Sequence, residues 1–510
     1  MTRLVSFVAA MVAVPVLGGA ACRFLVQPLA VLSVALFVAF LAVIWRYNLE
    51  KKMFLFAFPL MLVSQALAGW YLAVDGAAWD MAVVVRNAKV LAEGGNVSEY
   101  FAIYPNNIAI LCVFACIFRL TQGLLGSMPE YSLAIFNIVL VDASVVFTMC
   151  VTRRLFDSRT AWLAGVVMLF FAPFYLFIPI HYTDSLALFF VSLGLLFAIW
   201  LSGLWQGAAD GVPKRSLLTV LGGIWFAAGL TVKGVPAIVM IALCVQMFCK
   251  LPLRRAIVAV VLVFAGFVVG VWGWNVAIVK MGVVSRQSLN RHQLPPSHWV
   301  MMGLKGAGAY DESDFIYTES FQTYAEKKAA TEKEIVRRVR ALGVFGLARH
   351  VFRKVIFTWT SETCGPEAYL ELNAMKPVAR TGLRALVLDG GRPDGGDLWR
   401  RRIVRAFCRG VAIFVLLFAA GHFLMAIRDG KGERGGLIVP LTFVGGVLFF
   451  VLWETHPRYT FSFMPTLLIL ATSMFSRSIR RIHGFAANAK QEGEVAWREN
   501  RVLDWTKGVE

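Results

Sequence analysis

The strongest constraint on this chain is a series of apolar runs with Arg or Lys clustered at every second junction. The runs cover 4–22, 31–44, 54–74, 133–151, 161–180, 186–204, 217–232, 235–249, 256–279, 403–426, 436–453 and 460–475. Crossing the hydrocarbon of a bilayer takes about 20 predominantly apolar residues. Without water to bond to, the crossing backbone must satisfy its own hydrogen bonds, which a helix does. The pattern predicts an all-α polytopic membrane protein, a bundle of about 12–13 transmembrane helices. Composition agrees: 58% of the 510 residues are hydrophobic and 16% charged, where a soluble domain is roughly half apolar and a quarter charged.

The net charge of +19 follows the same logic. Much of the Lys and Arg sits beside the runs: Arg46 with Lys51 and Lys52, Arg153 with Arg154 and Arg159, Lys214 with Arg215, Lys250 with Arg254 and Arg255, Arg428 with Lys431 and Arg434, and RSIRR at 477–481. Short loops rich in Lys and Arg stay cytoplasmic. No stacking platform or recognition motif accompanies the charge, so no nucleic-acid partner is expected. With those clusters inside, Asp75, Asp80, the HYTDS turn at 181–185, Lys233 and ETHPRY at 454–459 fall outside. The run 108–124 would break this alternation by crossing, because Arg153, Arg154 and Arg159 would then lie outside. It is expected to form a re-entrant or interfacial hairpin.

Segment 4–22 has the early charge and apolar core of a signal peptide, but a second run follows at once, so it reads as the first span. The expected organisation is a transmembrane module over 1–280 with a catalytic outer loop at 75–107, an extracytoplasmic region over 281–400, closing spans over 401–482 and a cytoplasmic tail over 483–510. In the charged stretch 319–350, Ile335, Val339 and Leu342 recur at helical spacing, as in a helix lying on the membrane surface or a solvated helix of an outer domain. DGGRPDGGD reads as a loop. Most of the eight cysteines lie inside apolar runs, and none shows zinc-ligand spacing with a histidine; neither a disulfide framework nor a structural zinc is indicated.

The chemistry-bearing residues lie at the ends of the runs. Asp80 opens a short amphipathic helix whose apolar positions are Met81, Val84, Val85, Ala88 and Leu91. A helix dipole holds such a carboxylate as the anion, which suits a general base; the plainer reading is a helix cap. Asp184 can orient a substrate or the base, or can cap the next span. Lys233 can hold a phosphate as a compact charge or snorkel to headgroups. Arg458 can clamp a phosphate with two parallel bonds. His456 can bind a metal, though an isolated histidine is more often an ordinary interfacial residue. His298 and Trp299 can line a sugar pocket or anchor at the interface.

Several of these motifs resemble a known family. The WD at 79–80, Ala88 and the Gly94–Gly95 pair look like the first outer loop of the C-type, multi-span glycosyltransferases (the GT-C superfamily), nearest to its protein O-mannosyltransferase and aminoarabinose-transferase group. YFAIYPNN is similar to the aromatic–proline turn of their juxtamembrane helices. HYTDSLALFF, GLTVKG and ETHPRYTFSFMP resemble later-span motifs of bacterial members, and PPSHWVMMGL a segment of Gram-positive relatives. The likeness extends to about residue 475 as scattered motifs. It departs in having two spans before the one that leads into the loop, and in having Met81 where relatives commonly carry an acid.

The resemblance implies a GT-C-like bundle with extracytoplasmic juxtamembrane helices, a multi-pass protein of the cell membrane whose site faces outward. It implies inverting transfer of a sugar from a polyprenyl-phosphate donor to an envelope acceptor: a polysaccharide, a glycolipid or a protein. Asp80 would be the base. Lys233, Arg458, Tyr104, Asn106, His181 and Asp184 would serve the donor, and His298, Trp299, Glu454 and His456 the acceptor or its pocket. No cofactor is required by this scheme, and a divalent metal stays open. The alternatives are a lipid-linked-oligosaccharide ligase or polymerase, and a polyprenyl-lipid transporter or flippase.

Overall fold

The computed structural model describes residues 1–73, 79–125, 130–207, 212–372, 395–429 and 436–482. Asp75, most of DGGRPDGGD and the tail over 483–510 lie outside these. Among the described residues the protein is all-α, with no strand. Ten helices are long and apolar enough to cross a membrane, and two shorter apolar ones, Val235–Lys250 and Ile438–Leu452, accompany them. All eight cysteines are free thiols.

The ion pairs sort the bundle into two ends. At one end Arg159 pairs with Glu50 at 2.9 Å and Arg480 with Asp157 at 2.6 Å. Both guanidiniums face the Trp45 ring. At the other end Lys233, Asp184 and Arg458 meet. Nine of the ten long helices, the two shorter ones and the segment 158–182 carry the chain between these ends, making twelve passes among the described residues.

The tenth long helix, Ile108–Leu125, does not run end to end. It starts beside the Asp184 end, where Asn107 accepts a hydrogen bond from Tyr182 at 2.9 Å. Four residues separate Leu125 from the next helix, Glu130–Leu155, whose Tyr131 ring stacks on Trp70 at 5.7 Å, near the close of Glu50–Tyr71 at this same end. A linker that short reaches roughly 18 Å, well under the ~30 Å hydrocarbon thickness. Both ends of Ile108–Leu125 therefore lie at the Asp184 end. The expected hairpin is corrected to one unbroken helix, because its interior holds no Gly or Pro until Gly123.

The run expected as a span over 161–180 is not one helix. Ser158–Leu169 stops, a short helix Pro173–Leu176 follows, and the chain turns to Tyr182. Pro173 and Pro179 remove two N–H donors from this stretch. Irregular backbone inside a membrane protein survives only where neighbours satisfy it, and here amide side chains do so. Gln65 Nε2 donates to the Phe174 carbonyl at 3.2 Å, and Asn137 Nδ2 to the Ile178 and Ile180 carbonyls at 2.9 and 3.0 Å. The turn that carries His181, Tyr182 and Asp184 is thus fixed by two buried side chains.

Helices Val212–Val232 and Leu253–Lys280 pack closely through glycine. A Cβ at Gly223 would collide with the Val263 carbonyl, and one at Gly266 with the Val220 carbonyl. Small residues let membrane helices approach and gain packing where no hydrophobic drive exists between them.

The region after Lys280 covers the Asp184 end with Arg286–His292, Pro296–Met302, Glu312–Glu319 and Tyr324–Trp359. Thr323 and Glu326 form a reciprocal capping box at the start of the last of these. The stretch 319–350 is therefore not a single element: its long helix starts at Tyr324 and kinks at Gly343, where φ is +60°. Its protein-facing side is polar. Arg338 grips Asp314 with two bonds of 2.7 Å, and Lys327, Thr331 and Lys354 are buried. At the kink its apolar residues turn outward, Phe345 91% exposed and Val344 82%.

Candidate functional site

The outer loop folds as its pattern requires. Met81, Val84, Val85 and Ala88 are buried faces of helix Trp79–Ala92, which packs along Ile108–Leu125. Arg119 donates to the Leu91 and Ala92 carbonyls at 3.0 and 2.8 Å, closing the C-terminus of that helix. The chain then reverses at Gly94, φ +83°. Asn87 Oδ1 accepts the Ser98 N–H at 2.8 Å and holds the returning half of the loop. Helix Tyr100–Ile103 and the 3₁₀ turn Pro105–Asn107 bring Tyr100, Tyr104 and Asn107 back beside Asp80.

Asp80 lies in the first turn of its helix, next to Trp79, whose φ of +49° is a strained value for a residue with a Cβ. The Tyr182 hydroxyl donates to Asn107 Oδ1 at 2.9 Å and stands 3.5 Å from Asp80 Oδ2. Asn107 Nδ2 donates to the Tyr100 hydroxyl at 2.6 Å, and Tyr100 in turn hydrogen-bonds the Asp80 carboxylate. Burial raises the Asp80 carboxyl above its ordinary value. The Tyr100 bond, the Arg458 charge and the Tyr182 bond oppose that rise.

A cationic group adjoins this chain of hydroxyls and amides. Lys233 Nζ pairs with Asp184 Oδ1 at 2.6 Å, and Arg458 Nε stands 3.6 Å from Asp184 Oδ2. The Arg458 guanidinium lies over the rings of Tyr369 (4.3 Å), Trp79 (4.4 Å), Tyr182 (5.2 Å) and Tyr459 (5.6 Å). Its Nε and Nη1 are buried and donate no hydrogen bond within the protein. Helix Thr183–Gln206 takes no side-chain cap from Thr183 or Asp184, since its cap residue is Tyr182; Asp184 serves instead as the counter-ion of both cations.

Glu454 and His456 sit on the same side. Tyr459 donates to Glu454 Oε2 at 3.0 Å, and burial pushes the Glu454 carboxyl up to about 7. His456 Nδ1 accepts the Arg458 backbone N–H at 3.2 Å, so it caps the turn that presents Arg458. Burial and the Arg458 charge lower that imidazole to about 4.

The remaining sequence-selected residues divide. Tyr104 stacks toward Tyr100 at 4.9 Å and Trp299 at 6.1 Å, and the Glu454 N–H donates to the Trp299 carbonyl at 3.0 Å. These join the site. Asn106 is exposed and bonds to Asn107 Oδ1 at 3.3 Å. His181 is buried in the turn before Tyr182. His298 is fully buried, its Nδ1 2.7 Å from the Thr318 hydroxyl, and supports the Trp299 helix from behind. Among the described residues no group of three or more His, Cys, Asp or Glu is placed to hold a metal ion.

Sequence reasoning missed Trp79, Tyr100, Asn107, Tyr182, Tyr369 and Tyr459. Five of them lie within motifs singled out for other residues, so the signal was the motif as a whole. Tyr369, outside every motif, had no sequence signal.

Among solved structures, the chain is similar to the archaeal oligosaccharyltransferase AglB from Archaeoglobus fulgidus, described in complex with an inhibitory peptide and a dolichol-phosphate. The two are 12% identical with a TM-score of 0.42, over 84% of this chain and 51% of that one. The chain thus spans about half the length of that neighbour. No curated protein matches it in sequence. The model of a family described as conserved hypothetical integral membrane proteins matches residues 17–371, well over half of the chain, and the protein belongs to that family.

Proposed function

We propose that this protein is a membrane glycosyltransferase that moves a sugar from a polyprenyl-phosphate donor to a hydroxyl of an extracytoplasmic envelope acceptor. One observation carries the reading. A half-buried carboxylate, Asp80, and a buried guanidinium with undonated N–H groups, Arg458, share the Trp79–Tyr182 pair at the end of the bundle. A base and an anion-binding cation at a lipid–water boundary are what such a transfer needs.

In this mechanism Asp80 takes the proton of the acceptor hydroxyl. The acceptor oxygen forms its bond to the anomeric carbon as the bond to the phosphate oxygen breaks. The bonding pair leaves with the polyprenyl phosphate, and the proton on Asp80 then passes to solvent. Burial raises the basicity of Asp80, which favours proton removal near neutral pH. Arg458 Nε and Nη1 keep N–H groups free to donate to phosphate oxygens, and donors already in place where charge grows lower the barrier without reorganising. Lys233 acts through Asp184, holding the counter-ion that keeps Arg458 in place. A single base with no paired nucleophile favours inversion.

The test is direct. Purified protein is incubated with radiolabelled polyprenyl-phosphate sugars and cell-envelope extract. Label should leave the lipid fraction and enter the extract only with protein present. Label that stays lipid-linked with every sugar tried would contradict the proposal.

A further inference from the structure

A second cationic cluster lies on helix Gly395–Asp429. Arg401, Arg405 and Arg409 follow one face of this helix at successive four-residue steps, and Arg402 adjoins them. Together with Gln27 and Leu29, from the turn between the first two helices, they line a cavity of about 500 Å³. Arg409 bonds to Gln27 and, at 3.1 Å, to Glu362. These arginines turn toward one concave space, whereas ordinary snorkelling arginines spread outward.

The level of the cavity identifies its ligand. Helix Pro28–Arg46 is apolar from its start, so Gln27 marks where hydrocarbon begins at this end. At 1.5 Å per residue, Arg405 stands about 6 Å and Arg401 about 12 Å beyond Arg409. The headgroup layer of one leaflet is roughly 5–7 Å deep, so the arginine stripe spans it. Beside the cavity, Val26 (79% exposed), Leu29 and Ile403 present apolar surface outward. Guanidinium pairs with phosphate by two parallel bonds.

We propose that this cavity binds the phosphate of an anionic phospholipid headgroup, with the acyl chains lying along the outward face of Pro28–Arg46. The site is independent of the transfer reaction proposed above.

The experiment is native mass spectrometry of the full chain in detergent, titrated with dioleoylphosphatidylglycerol, dioleoylphosphatidylcholine or inorganic phosphate. Wild-type protein should retain phosphatidylglycerol in preference to phosphatidylcholine. Arg402→Gln/Arg409→Gln should weaken that binding about tenfold, the loss of roughly one charge-assisted bond. Arg402→Gln alone, at an exposed position whose removal leaves the Glu362 and Gln27 contacts intact, should weaken it by a smaller factor if the double variant does not fold. Equal retention of the two lipids, or undiminished phosphatidylglycerol binding by Arg402→Gln, would overturn the proposal. So would displacement of the lipid by millimolar inorganic phosphate, which would make the site one for a free anion.

Discussion

Arg458 is held by aromatic rings more than by carboxylates. Its one ion-paired carboxylate among the described residues, Asp184, is shared with Lys233. Removing one partner of a buried pair strands the other charge, which costs about 3–5 kcal/mol. Asp184→Asn, which strands Lys233 and Arg458 together, should therefore lower thermal stability sharply, and adding Lys233→Met should recover part of the loss; two fully additive losses would show that the pair is not coupled. Arg458→Lys keeps the charge but gives up the planar fork. It should weaken donor binding about tenfold in a direct binding assay, and unchanged affinity would remove Arg458 from the donor site. Glu454 titrates near 7 because burial disfavours its charge. Its folded value lies above its ordinary one, so its contribution to stability is complete below about pH 4.5 and is lost as the pH rises through about 7. Glu454→Gln should flatten the melting temperature across that window and raise it above pH 7. A pH profile unchanged by the substitution would place the titrating group elsewhere.

Hydropathy makes helices legible because a span is defined by its own residues, whereas breaks depend on partners far along the chain. The interruption between Leu169 and Thr183 is stable only because Gln65 and Asn137, on two other helices, satisfy its carbonyls. No local pattern announces that. The same holds for Tyr369, which reaches Arg458 from a helix nearly 90 residues away in sequence. In contrast, the buried faces of Met81, Val84, Val85 and Ala88 follow from periodicity alone. Helix Ile108–Leu125 is the sharpest case: by length and composition it can cross, and only the position of Tyr131 beside Trp70 keeps it at one end. A cysteine at Gln122 should accordingly be labelled by an impermeant reagent from the same side as one at Asn106. Labelling from opposite sides would mean that this helix crosses.

Across the whole molecule, one basic cluster lies remote from the site. Arg153, Arg154, Arg159 and Arg480 gather at the end opposite Asp80, and the positive-inside rule would make that end cytoplasmic. Tyr310→Cys should then react with an impermeant thiol reagent on intact cells, and Lys51→Cys only after permeabilisation; the reverse pattern would turn the site inward and exclude an envelope acceptor. The central claim is that Asp80 is the base of a sugar transfer, and the initial rate of label transfer by Asp80→Asn tests it most directly. The variant keeps the shape of the side chain and its place beside Tyr100 and Tyr182 but cannot take a proton. The account predicts transfer slowed by at least about 100-fold with donor binding retained, and transfer near the wild-type rate would contradict it.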